Sequence, residues 1–118
     1  MCARFTFSGL CNASSMSQKY AMLYAFDPGC HGSTSNITNP TRDIANFLLT
    51  RGPHAWLGHG WSGCSRVYEY PEELNRDYGE PLGLCTETAP NSGVFTREWS
   101  KATVKADCNA WESSITMK

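Results

Sequence analysis

The sequence predicts an α/β fold organised around one β-α-β unit, and three stretches predict it. Residues 20–26 are a continuous apolar run ended by an Asp-Pro-Gly turn, which is typical of a strand buried on both faces. Residues 40–51 carry apolar side chains at helical spacing. Residues 54–61 are rich in aromatic side chains, and their glycines favour a strand over a helix. This order predicts two parallel strands joined by a right-handed crossover.

The predicted helix 40–51 has clear signals at both of its ends. Asn39 is a good N-cap, Pro40 suits the first helical position, and a Gly-Pro pair stops the helix after residue 51. Ile44, Phe47 and Leu48 recur on one face. We therefore expect these three side chains to pack against the two predicted strands.

The rest of the chain predicts an irregular arm, a long loop and a hairpin. Residues 1–19 hold little periodic pattern, and residues 62–92 are interrupted by proline and glycine, which indicates a long loop. Residues 94–107 alternate with period two around a two-residue turn, which predicts an antiparallel hairpin. We expect 118 residues to form one domain or a domain fragment, because a complete (β/α)8 barrel needs about 250.

Composition limits the classes of partner. The formal net charge is −1 and no basic stripe is present, so nucleic acid is not an expected partner. No apolar run approaches the roughly 20 residues of a membrane-spanning helix. No C-x-x-C pair occurs, and His54 and His59 would lie on opposite faces of one strand, so we expect no metal site. No cofactor motif is present either.

Cysteines and glycosylation motifs together indicate the secretory pathway. The chain has 6 cysteines, and N-glycosylation motifs begin at Asn12 and Asn36. An even cysteine count beside such motifs is typical of a disulfide-bonded extracellular protein. Six cysteines allow about fifteen pairings. We expect Cys64 to bond Cys85, since this bond would close the long loop.

Aromatic side chains gather around the end of the second predicted strand. Trp56, Trp61, Tyr68 and Tyr70 are available to stack on sugar rings, and His59 is available to donate or accept hydrogen bonds. The alternative is that Trp56 belongs to the core and Trp61 covers a loop. We retain all five side chains as candidates for carbohydrate binding.

Two acidic residues are candidates for catalysis. Asp27 follows the first predicted strand and Glu69 lies in the loop after the second, so both occupy the ends where parallel α/β folds place their chemistry. The alternative, which the sequence favours for Asp27, is that its side chain opens the Asp-Pro-Gly turn. We expect the chain to lack a complete pair of catalytic carboxyl groups.

The assembled segments resemble the C-terminal part of a hypothetical glycosyl hydrolase family, whose members are glycoside-hydrolase-like TIM barrels. The likeness rests on GPHAWLGHGWSGC at 52–64, on DYGEPLG at 77–83, and on the strands FTREW at 95–99 and TVKADCN at 103–109, and it covers about residues 20–111. The resemblance implies part of a (β/α)8 barrel and a carbohydrate-associated function. The strands that usually carry the catalytic carboxylates of such barrels are missing from the chain.

Two functions remain open from the sequence. The chain is either a glycoside-hydrolase-like protein or fragment that binds a glycan or polysaccharide, or a disulfide-bonded, N-glycosylated extracellular subunit with a structural or assembly role. The first hypothesis implies that the remainder of a larger polypeptide is missing, and the second implies self-assembly.

Overall fold

A computed structural model of the chain describes Cys11 and residues 21–25, 39–59 and 72–118, with the backbone alone for 21–25 and His59. In chain order the elements are β1 (Ala21–Ala25), α1 (Pro40–Thr50), β2 (Ala55–His59), a 3-10 helix (Glu72–Asn75), β3 (Thr86–Glu87), β4 (Val94–Glu98), β5 (Ala102–Asp107) and β6 (Glu112–Met117). The strands form a two-stranded sheet, β1-β2, and a four-stranded sheet in the order β3-β4-β5-β6.

The predicted β-α-β unit is confirmed, and both described strands lie within the predicted ranges. β1 and β2 pair in parallel, with Ala21 opposite Ala55 and Ala25 opposite His59. The Asn39 side chain accepts a hydrogen bond of 3.0 Å from the backbone N–H of Arg42, as expected of an N-cap. Within the part of the chain that the structure describes, parallel pairing is limited to this one pair.

The C-terminal half forms an antiparallel sheet larger than the predicted hairpin. The hairpin itself is confirmed, because β4 pairs with β5 and the backbone N–H of Trp99 donates to the carbonyl of Ala102 across a two-residue turn. β6 extends the sheet by pairing with β5 along its length. β3 lies inside the predicted loop 62–92 and pairs with β4 over Thr86 and Glu87 alone. Two residues are too few to give a periodic signal.

Helix α1 packs mainly on the antiparallel sheet, which corrects the expectation that it packs against β1 and β2. Its closest neighbours among the described elements are β5 and β6. Ile44 and Leu48 are buried as predicted, while Phe47 is half-buried. The inner face of β5 presents small side chains at alternate positions, including Ala102 and Ala106, and these let the helix approach closely.

The predicted Cys64–Cys85 bridge is wrong, because Cys85 is bonded to Cys11, 74 residues earlier in the chain. Cys85 is 4% exposed, and Cys11 packs against the same hydrophobic core. The bond therefore joins two segments that are distant in the sequence and meet at the core, rather than the two ends of a local loop. Cys108 is also disulfide-bonded. Cys64 lies outside the described residues.

Candidate functional site

Among the five residues predicted to bind carbohydrate, Trp56 is the one whose side chain the structure describes. It is the second residue of β2, and its side chain is 53% exposed, so the alternative that it belongs to the core is wrong. His59 ends the same strand. The other site predictions lie outside the described residues and stay predictions: Trp61, Tyr68, Tyr70, Asp27, Glu69, Asn12 and Asn36.

A groove with a volume of about 380 Å³ runs beside Trp56. Helix α1, strand β2 and residues 74–79 form its walls. Its aromatic lining comes from Phe47, Trp56, Tyr78 and Trp99, which lie far apart in the sequence. The fold thus brings three aromatic rings to Trp56 that sequence reasoning did not place there.

Two guanidinium groups lie close to the indole ring of Trp99. The guanidinium carbon of Arg51 is 5.6 Å from the ring centroid and that of Arg97 is 5.2 Å away. Arg51 also lies 5.4 Å from the ring of Phe47. These cation–π distances indicate an ordered stack at the base of the groove. The indole nitrogen of Trp99 is buried and has no hydrogen-bond partner within the described ranges.

Arg97 fixes the end of the helix that forms the groove wall. Its Nη1 donates to the carbonyls of Arg51 at 2.7 Å, Leu48 at 3.1 Å and Leu49 at 3.3 Å. Its Nε donates to the carbonyl of Gly83 at 2.9 Å. Desolvation lowers the pKa of Arg97, and the charge of Arg51 lowers it further. One buried side chain therefore joins the last turn of α1 to β4 and to the segment before β3.

Sequence reasoning did not identify Arg97, although a signal for it exists. Phe95, Arg97 and Trp99 alternate with period two, so a strand places all three on the same face. All three are buried. A cation on the inner face of a predicted strand indicates a buried hydrogen-bonding role, because a buried charge needs partners.

Asp77 is a carboxylate that lines the groove, and it is already engaged. It forms an ion pair with Lys101 and accepts a 2.9 Å hydrogen bond from the backbone N–H of Gly79. The hydrogen bond from Lys101 is the main cause that lowers the pKa of Asp77, and the bond from Gly79 is the next. Asp77 is therefore held ionised and is unsuited to act as a general acid near neutral pH.

Tyr78 also contributes a polar group whose role is structural. Its side chain is buried, and its hydroxyl donates a 2.6 Å hydrogen bond to the backbone carbonyl of Glu73. Desolvation is the main cause that raises its pKa, with Arg76 opposing and Glu73 adding to the rise. The phenol stays neutral and ties residue 78 to the 3-10 helix.

The described lining of the groove combines aromatic faces with charged groups. Asp77 is the one carboxylate among the described residues that line it, whereas glycoside hydrolysis usually needs two at a defined separation. The described residues contain no cluster of His, Cys, Asp and Glu that would hold a metal ion. In the described ranges, no helix combines the length and apolar character needed to cross a membrane.

Comparison of the chain with models of known protein families found no match, and comparison with curated proteins found none.

Proposed function

We propose that the chain is a glycoside-hydrolase-like, carbohydrate-associated extracellular protein that binds glycan through the groove beside Trp56, without complete catalytic machinery. The single observation that carries the proposal is the exposed indole of Trp56 at a groove lined by charged and aromatic side chains. Indole faces stack on the apolar faces of sugar rings, and neighbouring polar groups bind the hydroxyls.

The size of the groove supports a small ligand or one end of a longer one. Its volume of about 380 Å³ falls at the lower end of the roughly 300–1,000 Å³ of typical ligand sites. Its base is held by the stacked Trp99 and by the hydrogen bonds of Arg97. A pre-formed site loses little free energy in ordering its own side chains on binding.

The proposal includes the resemblance to TIM-barrel glycosidases, and the parallel pair β1-β2 with its connecting helix is a β-α-β unit of the kind that such barrels repeat. In this proposal the antiparallel sheet β3-β4-β5-β6 packs on the helix side of that unit. Asp27 and Glu69 remain the candidate catalytic acids of this proposal. Asp77 is the one carboxylate among the described residues that line the groove, and this favours binding over hydrolysis.

A structural or assembly role is the second candidate, and the disulfides favour it. The Cys11–Cys85 bond and the bonded Cys108 are typical of a small extracellular protein that cross-links stabilise. An intact-mass measurement on native material separates the two candidates. A much larger parent favours the hydrolase fragment, and a species near 13.1 kDa plus glycans favours the structural subunit.

The test of glycan binding compares two exposed tryptophans. Trp56 is 53% exposed at the groove, and Trp111 is 52% exposed at the turn between β5 and β6. Affinity electrophoresis in soluble polysaccharides should show that Trp56→Ala weakens binding by about 1–3 kcal/mol, by analogy with other aromatic stacking, while Trp111→Ala does not. Equal effects of the two substitutions, or no retardation of the unaltered chain, would contradict the proposal.

A further inference from the structure

The groove beside Trp56 carries more positive than negative charge. Arg51 and Arg76 both line it, and Asp77 is the acidic residue among its described lining. The carboxylate of Asp77 is already neutralised by its ion pair with Lys101. The local excess of cations contrasts with the formal net charge of −1 for the whole chain.

Neither groove arginine has an acidic partner within the described part of the chain. The ion pairs there are Lys101 with Asp77 and Lys118 with Glu98. Side-chain hydrogen bonds from Arg51 or Arg76 to any described acceptor are likewise absent, whereas the buried Arg97 has four carbonyl acceptors. As far as the described residues extend, the N–H groups of the two groove arginines are therefore left for a ligand.

Arg51 is also held in one orientation. Its guanidinium lies over the rings of both Phe47 and Trp99, at 5.4 Å and 5.6 Å from their centroids. Stacking uses the faces of a guanidinium and leaves its N–H edge for hydrogen bonds. A stacked arginine therefore presents a pre-organised fork of donors, which matches the two oxygens of a carboxylate or sulfate.

The buried Arg97 adds to the positive field around the ring of Trp99. It shares the Trp99 ring with Arg51, and the two charges are close enough that Arg51 lowers the pKa of Arg97. An anion at the edge of Arg51 would relieve this repulsion. The groove is consequently better suited to an anion than to a neutral hydroxyl group.

We infer that the ligand of this groove is an acidic glycan, whose carboxylate or sulfate group binds Arg51 and Arg76 while a neighbouring sugar ring stacks on Trp56. This inference rests on the proposed function, since it names the class of glycan that the same groove takes. A free inorganic anion shares the chemistry of the charged group but has no ring to stack on the indole.

The experiment uses the full chain, produced under oxidising conditions, on an array of immobilised oligosaccharides that carry uronic acid, sulfate or no charge. We expect the acidic members to be bound at least about tenfold more tightly than neutral members of the same length, as a charge-assisted bidentate contact implies. Binding should weaken as NaCl is raised from about 20 mM to about 200 mM, because salt screens exposed charges.

Substitutions then test the contact with the charged group of the ligand and the contact with its sugar ring at separate residues. Arg51→Gln and Arg76→Gln should each lower the affinity for acidic oligosaccharides roughly tenfold and leave the affinity for neutral ones unchanged. Trp56→Ala should weaken both classes. Arg76 is exposed, so its substitution tests the inference even if Arg51→Gln impairs folding. Lys105→Gln, on the outward face of β5, is the matched control for loss of one positive charge.

The possible failures are distinguishable. Equal binding of acidic and neutral oligosaccharides, both lost in Trp56→Ala, would overturn the acidic ligand and preserve the proposed function. Competition by inorganic sulfate at equal affinity, unaffected by Trp56→Ala, would identify a small-anion site and contradict both. Binding of no array member would also overturn both.

Discussion

Replacement of Arg97 by methionine tests how the groove is built. Methionine keeps much of the apolar length of the side chain and removes every N–H donor. The short hydrogen bonds to the carbonyls of Arg51, at 2.7 Å, and Gly83, at 2.9 Å, would be lost. The longer bonds to Leu48 and Leu49 share one nitrogen with the first and add less.

We expect Arg97→Met to lower the free energy of unfolding by about 3 kcal/mol. Hydrogen bonds from a charged donor contribute about 1.5–3 kcal/mol each. Removal of the buried charge recovers part of that loss. For a chain of this length the loss corresponds to a fall in Tm of about 12 °C. Arg97→Lys should recover only part of the loss, because one ammonium cannot reach both the helix end and Gly83 with the geometry of the guanidinium fork.

Urea unfolding followed by circular dichroism measures this difference under oxidising conditions. Lys105→Met, at an exposed position of β5, is the control, and its effect should stay within about 0.5 kcal/mol. A loss below about 1 kcal/mol for Arg97→Met, or a loss equal to the control, would refute the claim that this side chain anchors the groove wall.

Three further predictions concern the backbone, the disulfide and catalysis. Gly79 has φ +80°, and an added Cβ would clash with Ser100 Oγ. Gly79→Ala should therefore lower the free energy of unfolding in urea by at least about 1–2 kcal/mol. Gly83→Ala is the control and should be nearly neutral, because the space around its Cβ is open. Peptide mapping without reductant should recover Cys11 joined to Cys85, and recovery of Cys85 with any other cysteine would refute the assigned bond. The purified chain should release no reducing sugar from oligosaccharides, and hydrolysis abolished by Glu69→Gln would contradict the lack of catalytic machinery.

Local sequence signals predicted the elements well. The Asn39-Pro40 start and the Gly52-Pro53 stop set the ends of α1, because capping and backbone restriction act over a few residues. Alternation with period two around Ser100 and Lys101 set the hairpin for the same reason.

Contacts between residues that are far apart in the sequence could not be predicted from local sequence patterns. Arg97 meets carbonyls 46 to 49 residues away, and the disulfide joins cysteines 74 residues apart. The apolar side chains of α1 can pack on the parallel sheet or on the antiparallel sheet. No local sequence pattern indicates which of the two sheets the helix covers. The groove likewise depends on how three separate segments converge around Trp56, so its cations Arg51 and Arg76 were not anticipated.

Glycan binding at the groove beside Trp56 is tested most directly by NMR. The indole N–H signals of the 15N-labelled chain are followed during titration with the oligosaccharide of the array that binds most tightly. Substitution of each tryptophan assigns the signals. We expect the Trp56 signal to shift saturably with the ligand. The Trp111 signal, from an equally exposed side chain outside the groove, should not shift. A saturable shift of Trp111 alone, or an unmoved Trp56 at saturation, would contradict binding at this groove.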